Sequence, residues 1–482
     1  MNKKIMSFKH FVLFSLFILF VISHAWVNIQ KFFIFHHSCF GMDIFGTMFW
    51  KIATMHKVTF YSVPPEVPVG LGMLFVAPII YFYFLIYTIS QYPSNLLILQ
   101  PLVIASGVLP LFLLSRLKIG GYLIPFLISV SYLAHPIIGI GATTGFHPLT
   151  TFLVFMLWSF YFLETKNLKW FIIAGILANF VKPQACVINM IFSLIIMRNK
   201  ESRAFGKWLF IVSCFWFLFS LSGIFTVFKL THQKFMLPSV GLYKYDSAEQ
   251  FLQVIISQPS IFINQLFYNG KFLQLLFCIF FPLGFLPLLS FSYILPVIPS
   301  FIYLVMFPES NELFNIFSFT YLALISTLCK FKEAKLRIIV ATIILALSLF
   351  SRYFLNPPFE TSGFSGPLPF SKDFKFSYYR VKEHHLIGYN LLKVILPGSS
   401  CLVTPISLVG HLYKCSKIGI FTVPDRNLKQ ENWDYILVDI KNLDFSGTDR
   451  NVVEAKIKEL INMKLYNVLE SQDGWMLLRR VN

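Results

Sequence analysis

The chain is 482 residues long, 56% hydrophobic and 18% aromatic, with only 13% charged residues. An ordinary soluble domain carries about 25% charged residues, so a soluble globule is excluded. A mean hydropathy of +0.69, built from repeated apolar runs of about 20 residues, is the composition of a polytopic membrane protein. The formal net charge of +18 is unevenly spread: residues 1–355 hold 24 Lys and Arg against 9 acids, and residues 356–482 hold 16 against 13. The excess lies in short clusters between apolar runs, where cytoplasmic loops of membrane proteins carry it. No nucleic-acid partner is expected.

The N-terminus reads Met-Asn-Lys-Lys and leads into an apolar stretch at 11–26. It resembles a signal peptide but lacks a small-residue cleavage site followed by polar sequence, so a retained first span is expected. Lys3, Lys4 and Lys9 before it put the N-terminus in the cytoplasm and residues 31–68 on the outer face. Further apolar runs fall at about 70–90, 95–115, 120–142, 148–163, 170–182, 184–197, 207–228, 271–289, 291–307, 313–329 and 338–355. They predict about twelve membrane helices. The basic stretches 198–207 and 330–337 mark cytoplasmic turns, which places the tail after residue 355 outside.

One count conflicts with this topology. Three runs lie between the outer segment 31–68 and His147, which would put His147 on the cytoplasmic side. Either one run is re-entrant or 31–68 hides a short crossing; the weakest run is 120–142, interrupted by His135-Pro136.

Two runs, 170–182 and 184–197, are too short for straight crossings and meet at Lys182-Pro183-Gln184. A polar break at membrane depth is tolerated where it is buried in protein or lines a wet cavity. The alternative is a Pro kink in one long helix.

Beyond residue 355, Pro357, Pro358, Pro367 and Pro369 with Gly363 and Gly366 predict a linker. A helix near 378–395 and short β-rich runs at 401–404 and 435–439 follow. A helix at 450–464 and strands at 466–471 and 475–479 close the chain, joined by Gln472-Asp473-Gly474, a strong hairpin signal. This is a small α/β domain, residues 356–482, after a membrane domain of residues 1–355. The seven cysteines form no CxxC pair, so neither a zinc site nor a disulfide framework is indicated. Only Cys401 and Cys415 could meet in the tail.

Ionisable groups near a membrane are expensive to keep, so each is a candidate for function. Asp43, the only Asp before residue 246, lies in an aromatic outer loop where its carboxylate could take the proton of an attacking hydroxyl. It could equally cap a short interfacial helix. His147, in Gly-Phe-His-Pro at the entry to a span, suits a phosphate hydrogen bond or helix capping. Lys182 either snorkels to an interface or meets a buried anion. Glu66 reads as a rim residue.

These residues carry a resemblance. The order of an Asp-Ile-Phe first outer loop, a Phe-His-Pro at a later span, a Val-Lys-Pro-Gln-Ala break and a small α/β tail resembles the prokaryotic predicted-membrane-protein family catalogued as domain of unknown function 2079. That family is grouped with the GT-C glycosyltransferases. It usually reads Phe-Asp-Leu-Gly-Ile-Phe-Asp-Gln in its first loop, and Asp43 occupies the position of a GT-C catalytic carboxylate. Two departures stand out. The family's Gly-Asp-His-Phe-Ser-Pro is replaced here by Glu66-Val67-Pro68-Val69-Gly70-Leu71, and its Val-Lys-Glu-Asp by Val181-Lys182-Pro183-Gln184.

The resemblance implies a GT-C-like membrane protein using a polyprenyl-phosphate sugar at the outer face of a plasma membrane. Asp43 would be the catalytic carboxylate, with His147, Lys182, Gln184 and Glu66 binding substrate. A divalent metal is compatible with the sequence but not required by it. The competing expectation is a non-catalytic membrane protein, either a lipid or solute transporter or a binder of lipid-linked glycans.

Overall fold

The computed structural model describes residues 3–36, 39–55, 77–231, 271–306, 313–355, 367–420, 432–442 and 450–481, with positions 257 and 260. Helix α1 (Lys3–Phe33) runs 31 residues, enough at 1.5 Å per residue to cross a bilayer. It is followed by α2 (Cys39–Met55), α3 (Ile79–Ile89), α4 (Ser94–Ser106), α5 (Val108–Ile119), α6 (Leu123–Ala134) and α7 (Pro136–Thr143). Next come α8 (Thr151–Glu164), α9 (Leu168–Asn179), α10 (Pro183–Met197) and α11 (Arg203–Thr231). The membrane part closes with α12 (Lys271–Phe280), three short 3-10 turns, α13 (Ile298–Met306), α14 (Leu313–Lys330) and α15 (Ala334–Phe354).

Among the described residues five helices are long and apolar enough to cross a membrane, or up to seven if two bent pairs each count as one span; four more are shorter apolar helices. The core forms around α14, nearly all of whose residues are buried. Large apolar side chains on α1, α11 and α15, such as Phe11, Ile22, Phe215 and Phe350, face outward. In water they would be a liability; lipid is their solvent.

The expected weak run 120–142 bends by 50° at His135, for a local reason. Pro136 takes the first position of α7, where its missing N–H costs nothing. His135 Nδ1 accepts the Ile137 N–H at 3.3 Å, leaving Nε2 to donate to the Ile279 carbonyl at 3.3 Å. The run nonetheless spans the bundle. At one end of α1 the His10 ring meets Phe112 and Tyr122. At the other, Asn28 Nδ2 donates to the Leu97 and Ala142 carbonyls at 3.1 and 2.7 Å.

The α4–α5 and α6–α7 pairs therefore run the length of α1. Of the 70–90 run, residues 77–90 are described. They hold α3, only 11 residues long, whose Ile79 N–H donates to the Phe180 carbonyl at 3.2 Å while Pro93, beyond its other end, packs on Gly46 of α2. The conflict in the helix count disappears: His147 lies at the end of the bundle reached by the C-terminus of α1. At the opposite end sit the basic turns, where Lys118 pairs with Glu164 and Lys166 with Glu201.

The tail forms a five-stranded sheet of order β2-β1-β3-β5-β4, built from β1 (Ser400–Thr404), β2 (Lys417–Ile420), β3 (Tyr435–Asp439), β4 (Tyr466–Gln472) and β5 (Trp475–Arg480). β1 pairs parallel with β2 and β3, while β5 pairs antiparallel with β3 and β4. Strand alternation sends Cys401, Val403, Tyr435 and Leu437 to one face under α16 (Glu383–Val394), and Leu402, Ile436 and Val438 to the other under α17 (Arg450–Asn462). The expected hairpin is present: Asp473 and Gly474 both adopt positive φ, 51° and 86°, as a type I′ turn demands.

Cys401 and Cys415 are buried free thiols. Of the expected linker, Pro357, Pro358, Gly363 and Gly366 lie outside the described residues. Pro367 and Pro369 belong to an ordered strap, accepting from the Tyr379 hydroxyl at 2.6 Å and from Arg352 Nε at 3.0 Å.

The sheet domain is seated on the membrane part. Phe35, just past α1 and in the left-handed region (φ 55°), is buried in the domain's own core against Trp475 and Tyr389. From α2, Lys51 Nζ donates to the Ser416 carbonyl at 3.0 Å.

Candidate functional site

The site is built on the loop between α7 and α8. Gly145 turns the chain at φ 94°, a conformation that favours glycine. His147 then lies extended, with Pro148 opening the next helical turn. Gln100, inside the long α4–α5 span, holds this loop from both sides: its Oε1 accepts the His147 N–H at 3.0 Å, and its Nε2 donates to the Gly141 carbonyl at 3.0 Å and to Thr150 Oγ1 at 3.2 Å. Thr150 in turn donates to the His147 carbonyl at 2.8 Å. The half-buried His147 ring hydrogen-bonds the Thr144 backbone.

Lys182 occupies the break between α9 and α10. It caps α10 in extended conformation with Pro183 at the first helical position, and it is 94% buried, being 6% exposed. Nearby, a buried side-chain ladder links α9, α10 and α11: Asn189 Nδ2 donates to Asn179 Oδ1 at 2.8 Å, and Asn179 Nδ2 to Ser213 Oγ at 3.0 Å. This is the protein-buried break that membrane physics permits.

A run of contacts joins the segments that carry Asp43, His147 and Lys182. On α2, Phe45 packs edge-on against Phe146 with centroids 5.6 Å apart, and Phe146 against Tyr83 of α3 at 4.8 Å. The Tyr83 hydroxyl bonds Thr151. One helical turn earlier, Ile79 is tied to Phe180. Asp43 is two residues before Phe45, His147 directly follows Phe146, and Lys182 is two residues after Phe180. All three segments thus border the N-terminal half of α3. The Asp43 side chain and the whole of Glu66 lie outside the described residues. Gln184 is exposed on the first turn of α10, whereas Lys182 is buried.

Sequence reasoning missed Lys31, Asn28, Gln100 and Tyr83. Lys31 is 4% exposed and its Nζ donates to the Thr143 carbonyl at 3.1 Å. Burying an ammonium against a carbonyl costs several kcal/mol unless an anion compensates. Lys31 and Lys182 are thus two buried lysines at this end of the bundle. A single Lys after one apolar run and a single Gln inside another were the available signals. Among the described residues no group of three or more His, Cys, Asp or Glu could hold a metal ion.

The family model described as predicted membrane protein (DUF2079) matches residues 44–477. The chain belongs to this family. No curated protein matches it. Among solved structures, this DUF2079 protein is similar to ArnT from Cupriavidus metallidurans bound to undecaprenyl phosphate, with 11% identity, a TM-score of 0.51, and coverage of 96% of this chain and 98% of that one. It also matches the Archaeoglobus fulgidus oligosaccharyltransferase tethered to an acceptor peptide, with 11% identity, a TM-score of 0.42, and coverage of 97% and 74%. The likeness to ArnT supports grouping the fold of this DUF2079 protein with the GT-C fold.

Proposed function

We propose that the chain is a GT-C-type glycosyltransferase that moves a sugar from a polyprenyl-phosphate donor to an acceptor hydroxyl. It would act at the outer face of a prokaryotic plasma membrane, with the N-terminus in the cytoplasm, residues 1–355 in the membrane and residues 356–482 outside. The observation that carries this reading is the pair of buried lysines, Lys31 and Lys182, at the end of the bundle that bears the sheet domain. Lysines buried in a membrane protein are kept where an anion can pair with them, and ArnT, whose fold is similar, has been crystallised with undecaprenyl phosphate.

The chemistry is one inverting displacement. Asp43 takes the proton of the acceptor hydroxyl as its oxygen attacks the anomeric carbon. The bond from that carbon to the phosphate oxygen breaks, and the lipid phosphate leaves with the electron pair. Negative charge grows on the leaving phosphate, so Lys182 and His147 act where stabilisation counts most. Glu66 and Gln184 are assigned to the rim, against sugar hydroxyls. No step is assigned to a metal.

The test is transfer by purified protein from polyprenyl-phosphate sugars, compared with Asp43→Asn. Loss of a general base typically lowers the rate 10²–10⁴-fold. If the wild type transfers from no such donor yet binds polyprenyl phosphate, the chain is a binder of lipid-linked glycans instead.

A further inference from the structure

The strap at 367–382 bridges the membrane helices and the sheet domain, and its two faces differ. The inner face is pinned. Arg352 Nε and the Lys372 N–H tie it to α15, the latter donating to the Tyr353 carbonyl at 3.0 Å. Tyr379 is buried with Val27 and Ile34 of the α1 segment, and Trp26 packs against both Phe376 and Tyr379, at 5.2 and 6.0 Å. Trp26 lies two turns, about 10 Å, before the end of α1, within its apolar stretch. The strap therefore lies beside the last turns of α1 rather than up in the domain.

The outer face is unusual for a water-facing segment. Phe370 is 54% exposed, Phe376 70% and Tyr378 47%, next to the exposed Tyr353 and Phe354 that end α15. Lys372, Lys375, Arg380 and Lys382 alternate with them and are exposed. Lys372, Lys375 and Arg380 form no ion pair among the described residues. The acids alongside are Asp373 and Glu383. Aromatic rings at a membrane edge seek the headgroup layer, and clustered cations there attract anionic lipid.

We propose that this strap is a lipid-binding surface that rests on the bilayer and selects anionic phospholipid headgroups, the rings entering the interface and the cations meeting phosphates. It would hold the sheet domain down on the membrane. The inference stands on the strap alone, whether or not the chain transfers sugar.

The test uses the full chain in nanodiscs of phosphatidylcholine with or without phosphatidylglycerol. A fluorophore on Ser377→Cys, read against labelled wild type as background, should be quenched by headgroup-attached nitroxide lipid, more strongly when phosphatidylglycerol is present. Native mass spectrometry should find phosphatidylglycerol enriched among retained lipids. The triple variant Lys372→Gln, Lys375→Gln, Arg380→Gln should lose that enrichment by about fivefold per cation removed, and Phe376→Ser should weaken quenching in both bilayers. An unquenched Ser377→Cys label, or undiminished phosphatidylglycerol enrichment in the triple variant, overturns the proposal.

Discussion

The Lys31 ammonium donates to the Thr143 carbonyl at 3.1 Å, joining the end of α1 to the end of α7. Because Phe35, four residues past Lys31, sits in the core of the sheet domain, His147 and that domain share one end of the bundle. The basic turns occupy the other end. With the positive end in the cytoplasm, protease added to intact cells should reach the sheet domain and release it. Release only after permeabilisation would invert the assignment.

Phe35 couples the two parts of the chain. It reaches Trp475 because Gly388 of α16 has no side chain: a Cβ there would strike both the Trp475 and Phe35 rings. Truncating a fully packed Phe costs about 3–5 kcal/mol. Phe35→Ala should therefore speed tryptic loss of the domain from purified protein, as should Gly388→Ala. Leu386→Ala on the exposed side of the same helix should leave the rate unchanged.

What could be read from the sequence was what is local. The Asp473-Gly474 turn and its two strands follow from turn chemistry and alternation within about 15 residues. β2, four residues long, owes its existence to parallel pairing with β1, which no local pattern encodes. Helix α3 illustrates the limit: Ile79–Ile89 is apolar throughout, and the non-local tie of Ile79 to Phe180, not the local pattern, places it. Asp43, His147 and Lys182 were visible as charges in apolar surroundings. Lys31 passed as an edge residue and Gln100 as a lone amide inside an apolar run, because their partners, Thr143 and His147, are distant in sequence.

The junction between α1 and the sheet domain should loosen in acid. His385 Nδ1 accepts the Lys382 N–H at 2.9 Å, so the folded state needs that nitrogen unprotonated. Burial, with His384, His36 and Lys382 close by, pushes the ring down to about 4, below its ordinary value near 6.5. A group depressed in this way binds its proton more readily when unfolded. Its full stability is present above about 6.5 and is lost as the pH falls towards 4. Asp473, held below the usual carboxylate range by Lys441 and then His384, contributes loss only at still lower pH. Domain release by protease should thus accelerate between about pH 6.5 and 4. His385→Asn, which keeps an acceptor but does not titrate, should flatten that dependence.

Lys182 separates binding from chemistry. It opens α10 in extended conformation with Pro183 at the first helical position, and it is buried, so its place is set before any ligand arrives. Such preorganisation costs nothing at the moment of reaction. Lys182→Ala should weaken binding of polyprenyl phosphate at least tenfold, since a charge-assisted bond to a phosphate is worth about 1.5–3 kcal/mol. Lys182→Arg keeps the charge but cannot keep the compact geometry, and should recover binding more than turnover. Asp43→Asn should show the reverse, with donor binding retained and transfer lost. Isothermal titration in detergent measures the first quantity and radiolabelled sugar transfer the second. Equal binding by Lys182→Ala and wild type would remove Lys182 from the phosphate site and leave its burial a matter of packing alone.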